Sequence, residues 1–194
     1  MKKLSFLLCM LFGLLACNNY SDNPHIIIET DIGNMILELY PEQAPITVKN
    51  FLDLIDTNEF EGATFYRAVT LDNQPQNDIK IEVIQGGLSF TRDLTQYELI
   101  DHETTEQTGI LHTNGVISMA RVEPGTACTE FFICVGDQSS LDYNGERNPD
   151  LQGFAAFGKV IEGFEVMLEI QALPEENQFL KPRLAIKSIK RLNP

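Results

Sequence analysis

Two apolar runs, Gly115–Ala120 and Phe131–Val135, flank a turn-rich stretch, and no other part of the chain restricts the fold so tightly. Val116, Ile117, Met119, Ile133 and Val135 suit a pleated, half-buried surface. Pro124-Gly125 and the small residues after it cannot sustain a strand ladder, so the sequence predicts strand, ordered loop, strand across Gly109–Val135. The adjacent aromatics Phe131 and Phe132 sharpen this. Strand side chains alternate between faces, so one ring enters a core and the other lies on the opposite side. With Phe131 inside, Phe132 marks an outer face, which is read as a binding surface.

The remaining pattern fits the same architecture. His25–Thr30 and Met35–Tyr40 read as a hairpin across Asp31-Ile32-Gly33-Asn34. A helix opening at Pro45 or Thr47 runs to about Thr57, with Val48, Phe51, Leu52 and Ile55 on one stripe. Phe65–Val69, Lys80–Gln85, Phe154–Val160 and Arg183–Leu192 read as further strands, and Gly163–Leu173 as a second amphipathic helix. Thr70–Ile79 and Gly136–Gly153 are polar, turn-rich loops, and Leu88–Thr108 reads as an irregular surface excursion with little core of its own. Eight short strands with antiparallel-length connections and two helices predict a mainly β fold. It is a closed eight-stranded antiparallel barrel, capped by the helices and filled by side chains. A filled interior leaves function to the outer wall.

The first residues do not belong to that domain. Lys2-Lys3 precede the apolar run Leu4–Leu15, too short to span a bilayer, and Ala16 precedes Cys17. This is an export leader over residues 1–16 that resembles a bacterial lipoprotein signal, in which Cys17 becomes the acylated first mature residue. Residues 17–24 then form a flexible lipidated tether, and 25–194 the domain. The expected location is the cell envelope. Asn18 in place of an inner-membrane-retaining Asp points to the outer membrane, facing the periplasm. The formal net charge is −14, and it becomes more negative once Lys2 and Lys3 leave with the leader. Such a chain repels phosphate backbones, so nucleic acid is excluded as a partner. Of four cysteines, Cys128 and Cys134 remain in the domain. An extended Thr129–Cys134 segment holds them too far apart to bridge, which predicts free thiols. His25, His102 and His112 have no ligand spacing, and Asp142…Asp150 lacks the spacing and terminal Glu of an EF-hand. Neither a metal nor a cofactor is expected, and the chain is expected to be monomeric.

Arg67 is the sharpest polar residue. It sits mid-strand between Tyr66 and Ala68, and strict alternation places Phe65 and Val69 on its face. Gln85 stands comparably ahead of Gly86-Gly87. With these in view, several separated motifs fall into order: Phe65-Tyr66-Arg67-Ala68-Val69, Val83-Ile84-Gln85-Gly86-Gly87, Gly115–Ala120, Thr129-Glu130-Phe131-Phe132-Ile133 and Phe157-Gly158-Lys159-Val160. Together with Ala44-Pro45…Thr47–Phe51 they resemble the cyclophilin-type peptidyl-prolyl cis-trans isomerases, from about His25 to Leu192.

The resemblance implies an eight-stranded barrel, proline-containing polypeptides as substrates, and particular roles. Arg67 would stabilise the twisted imide and Gln85 would orient Arg67 or bond the substrate backbone. Val83, Phe132 and Leu141 would seat the proline ring, with Ala120, Phe154 and Tyr66 around it, and Arg121 would offer its backbone to the residue before proline. The chain departs from the family pattern at several positions. Tyr66 stands where the family usually has His, Arg121 and Glu130 where it has Asn and Gln, Ser140 where an aromatic is frequent, and Phe154 in place of a pocket-closing His. Ile81-Glu82-Val83 lacks a customary aromatic. The expectation is an active isomerase with altered substrate preference and weak binding of the family's cyclic-peptide inhibitors. The missing wall would be supplied by the 70–79 or 88–108 excursions. The alternative is a proline-peptide-binding or chaperone module that kept the fold without turnover.

Overall fold

The protein is described by a computed structural model over residues 23–192; the expected leader, Cys17 and most of the tether lie outside the described residues. In chain order the elements are β1 (His25–Thr30), β2 (Asn34–Leu39), α1 (Pro45–Asp56), β3 (Thr64–Val69), β4 (Val83–Gly87) and α2 (Thr105–Thr108). Then follow β5 (Val116–Met119), β6 (Phe131–Cys134), β7 (Ala155–Glu162), α3 (Phe164–Gln171), β8 (Glu175–Glu176) and β9 (Phe179–Arg191). One sheet runs β1-β2-β7-β5-β6-β4-β3-β9-β8, and β1 also pairs with β9. That last pairing closes eight strands into a barrel. The two-residue β8 stands outside the ring as a hairpin partner of β9.

Closure gives each of those eight strands a partner on both sides, and the interior is packed. Phe51 on α1 lies within ring contact of Phe60, Phe131 and Phe157, so the helix stripe read from sequence enters the barrel. Phe131 is fully buried in this core, while Phe132 joins a separate cluster with Val69, Ile81, Val83, Cys134 and Leu141. The pair divides between core and outer wall as alternation requires. Cys128 and Cys134 are both free thiols.

Four expectations need correction. The fourth strand begins at Val83, because Gln74 ties the preceding loop down: its amide donates to the Thr70 and Ile81 carbonyls and accepts from the Ile81 N–H. The last strand begins at Phe179, carried out of the barrel by its pairing with β8.

The third correction concerns 88–108, which is not a detached excursion. Leu88 is fully buried, and α2 opens with a capping box between Thr104 and Gln107. Glu103 from this segment receives the Ile46 N–H at 3.1 Å, the Thr47 N–H at 2.8 Å and the Thr47 hydroxyl at 2.7 Å. Ala44, the residue at the N-cap of α1, has no side chain able to do this. A carboxylate 56 residues distant therefore caps the helix and offsets its dipole.

The fourth is a change of face on β3. Thr64 pairs with Gly87 and Phe65 with Gly86, but Arg67 rather than Tyr66 pairs with Gln85. Tyr66 is the extra residue of a β-bulge, which shifts alternation by one. Phe65 points into the core, and Arg67 shares the outer side with Val69 but not with Phe65.

Candidate functional site

The bulge, β4, β6 and the loop after β6 together frame a hollow of about 220 Å³ on the barrel wall. Its lining is Arg67, Ile81, Val83, Gln85, Ala120, Arg121, Phe132, Leu141, Arg147, Asn148 and Phe154. Every site residue singled out from the sequence in this domain is in that set except Tyr66. Tyr66 is 4% exposed and lines an adjoining groove of about 240 Å³. The two hollows share Gln85, Ala120 and Arg121.

The apolar part is built by β6 and its neighbours. Phe132 pairs across the sheet with Gln85 and Ser118, and its ring stands edge-on to Phe154 with centroids 5.3 Å apart. His112 stacks beneath Phe132, 15° from parallel. Its ring nitrogens meet Asp142 at 2.7 Å and Ser118 at 3.0 Å. Those residue types could form a nucleophilic triad, but Ser118 is fully buried under the sheet, so the set has no access to substrate. It holds the ring of Phe132 level. A short helical turn over Ser139–Leu141 brings in Leu141, which is buried against the same cluster.

The polar part is one directed chain of hydrogen bonds. Arg67 Nη1 donates to Gln85 Oε1 at 2.9 Å, Gln85 Nε2 donates to the Tyr66 hydroxyl at 2.8 Å, and that hydroxyl donates to Glu130 Oε2 at 2.5 Å. Glu130 is anchored by the Leu88 and Ser89 N–H groups and the Thr129 hydroxyl. Gly87 makes that possible: with φ at 142°, it lies where a Cβ would overlap the Glu130 carboxylate. Burial first, then the charge of Glu130, pushes the Tyr66 phenol far above its ordinary value, so it remains a donor.

The guanidinium is gripped from a second side. Gln178 Oε1 accepts from Arg67 Nε at 3.0 Å and from Nη2 at 2.5 Å. Gln178 and Asn177 both have positive φ, as the two-residue turn between β8 and β9 requires. Sequence reasoning missed Gln178. The only local signal is a turn-forming Asn ahead of it, and nothing local says that the turn reaches Arg67.

Arg147, Asn148 and Ile81 were also missed, and they supply the wall that the sequence leaves open. Ile81 comes from the loop before β4, while Arg147 and Asn148 come from the loop after β6. Arg147 donates to the Ile79 carbonyl at 2.5 Å, so the two loops brace each other. Of the two excursions expected to supply that wall, 70–79 contributes no lining residue, though its Ile79 carbonyl braces Arg147, while 88–108 lines the adjoining groove through Ser89 and Leu94. Arg121 is paired with Asp150 at 2.8 and 3.0 Å, donates to the Gly153 carbonyl, and sits 5.1 Å from the Phe154 ring centre. Asp142 and Asp150, the loop carboxylates considered above for calcium, are thus held by His112 and Arg121. A wider hollow of about 420 Å³ around Phe90, Phe179 and Arg183 contains neither Arg67 nor Gln85. Among the described residues no group of three or more His, Cys, Asp or Glu is placed to hold a metal ion.

A closed antiparallel barrel with an arginine held beside an apolar hollow on its wall defines a class, and the comparisons agree. Residues 25–191 match the family model for cyclophilin type peptidyl-prolyl cis-trans isomerases. Peptidyl-prolyl cis-trans isomerase A of Dickeya dadantii is 35% identical over 79% of this chain and 74% of its own length. A peptidyl-prolyl cis-trans isomerase of Acinetobacter baylyi is 32% identical over 85% of this chain and 81% of its own. A crystal structure of a Cryptosporidium parvum cyclophilin type isomerase superposes with a TM-score of 0.69 at 23% identity, covering 89% of this chain and 99% of that one. A second, in the presence of the dipeptide Ala-Pro, gives 0.68. The chain belongs to the cyclophilin-type peptidyl-prolyl cis-trans isomerases. It is an isomerase of X–Pro bonds in peptides.

Proposed function

We propose that this isomerase works by withdrawing electron density from the prolyl nitrogen through Arg67. Amide resonance sets a barrier of ~18–20 kcal/mol to rotation about the peptide bond. No covalent step is needed to lower it. Twisting the bond localises the lone pair on nitrogen, and a donor aimed there binds the twisted state more strongly than the planar one. The observation that carries the reading is the seat itself: Arg67 lines the same hollow as Val83, Phe132 and Leu141. Gln85 and Gln178 hold the guanidinium from two sides, which reduces the reorganisation required during the reaction.

The test is exchange between cis and trans forms of a short proline peptide, followed by NMR. Arg67→Ala is expected to lower kcat/KM by about a hundredfold or more, in the range found for loss of one oriented donor, while peptide binding persists. Wild type and variant equally slow, at the uncatalysed rate, with peptide still bound would leave a peptide-binding module as the surviving account, and equally fast rates would refute the role of Arg67.

The same proposal includes export and lipid attachment at Cys17, with the domain acting on envelope proteins as a monomer tethered to the outer membrane. It is supported by the residue pattern Leu14-Leu15-Ala16-Cys17 after a basic start. Among the described residues no helix is long and apolar enough to cross a membrane. Cys17→Ser is expected to move the protein from the membrane to the soluble fraction and abolish labelling by a palmitate analogue. Retention of both would refute the anchor.

A further inference from the structure

The hollow is basic on a strongly acidic chain. Three guanidinium groups line it, from Arg67, Arg121 and Arg147, against a formal net charge of −14 for the whole sequence. Only Arg121 is neutralised, by Asp150. Arg67 donates to the side-chain amides of Gln85 and Gln178, and Arg147 to the Ile79 carbonyl and, at 3.4 Å, to the Gln74 amide oxygen. Among the described residues neither stands in an ion pair. Two half-buried cations converging on one small hollow without a counter-ion repel each other, and Arg147 indeed lowers the Arg67 pKa, second only to burial.

We infer that Arg147 selects substrates carrying a side-chain carboxylate on a residue next to the proline, a deepening that rests on the proline-seat reading above. The placement sets which flank is meant. A peptide crossing from the adjoining groove to the seat passes over Gln85, Ala120 and Arg121, which both hollows share. Arg147 lines the seat but not the groove, so it meets the residue on the far side of proline from that groove. One carboxylate there takes donors from a guanidinium already braced by the Ile79 carbonyl, and it relieves the repulsion between the two cations. Arg147 stands on the loop that replaces the missing aromatic wall, so the departure from the family pattern becomes a specificity element.

The experiment uses the purified full-length chain and two series of capped, amidated peptides, Glu-Pro against Gln-Pro and Pro-Glu against Pro-Gln. Turnover is read by NMR exchange and affinity by calorimetry. With Arg121, which both hollows share, facing the residue before proline, the Pro-Glu series is expected to favour Glu over Gln by about fivefold or more at low salt, with the ratio falling as salt is raised. Arg147→Gln is expected to bring that ratio to near one, and Arg147→Lys to retain most of it. A ratio near one for Pro-Glu against Pro-Gln in the wild type, in turnover and affinity alike, overturns the inference, and so does a preference confined to the Glu-Pro series. So does a preference that survives Arg147→Gln. If no peptide is turned over at all, the catalytic reading fails separately, and calorimetry still decides the charge preference.

Discussion

Tyr66→Phe removes one oxygen from the centre of the polar chain and nothing else. The ring remains packed edge-on against Phe90, 5.0 Å between centroids. What goes is a hydrogen bond of 2.5 Å to the Glu130 carboxylate and one of 2.8 Å from Gln85. A bond to a buried charge contributes about 1.5–3 kcal/mol, and more is lost if the charge is left orphaned. Here it is not orphaned, since the Leu88 N–H at 2.6 Å and the Ser89 N–H and Thr129 hydroxyl, both at 3.1 Å, still hold Glu130. The expected loss is therefore about 2 kcal/mol. In urea, with a slope of about 2 kcal/mol per molar, that moves the unfolding midpoint down by about 1 M. Activity should fall too, because the Gln85 amide loses the acceptor that orients it towards Arg67. Gln178 keeps its grip, so the fall in kcat/KM should be moderate, about three- to tenfold, or ~1 kcal/mol of transition-state stabilisation. A double-mutant cycle with Glu130→Gln should return a coupling of about 1 kcal/mol or more. A midpoint within about 0.2 M of wild type, some 0.4 kcal/mol at that slope, would refute the charged, buried Tyr66–Glu130 link. Lost stability with wild-type kcat/KM would instead break the connection from Tyr66 through Gln85 to Arg67.

Two further outcomes follow from the same structure. Glu103→Ala strips α1 of its distant cap and should cost about 2 kcal/mol in urea unfolding while leaving kcat/KM of the folded protein unchanged; a loss below about 0.5 kcal/mol would refute the cap. Stability should also decline on the alkaline side. Burial raises the folded-state pKa of both Cys134 and Tyr66, so the unfolded chain releases these protons first, from about pH 8.5 for the thiol and about pH 10 for the phenol. Their stabilisation is complete below those values and is lost above them, at up to about 1.4 kcal/mol per pH unit for each group. Urea midpoints that stay level from pH 8 to 10.5 would contradict this, and Tyr66→Phe should flatten the upper part of the profile.

Much of this protein is legible in local sequence because much of it is decided locally. The stripe of Val48, Phe51, Leu52 and Ile55 and the division of Phe131 from Phe132 follow from the helical and strand periods alone. The motifs around Arg67, Gln85, Phe132 and Leu141 singled out four residues, and the fold brings all four to one hollow. The face that Arg67 occupies was not legible. Alternation gave it Phe65 as a neighbour, and only the register of β3 against β4 reveals Tyr66 as the inserted residue.

The grip on Arg67 by Gln178, the cap of α1 by Glu103 and the wall formed by Arg147 share one cause. Each joins residues far apart in the chain, 111 positions for Gln178 and 56 for Glu103. A sequence window registers what a residue does to its own backbone and to neighbours one turn or one pleat away. It carries no record of which loop returns to meet it. The chain by itself determined most of its strands, its two long helices and the residue types that meet at the hollow. Closure of the barrel decided how the arginine is held, and which loops stand beside it.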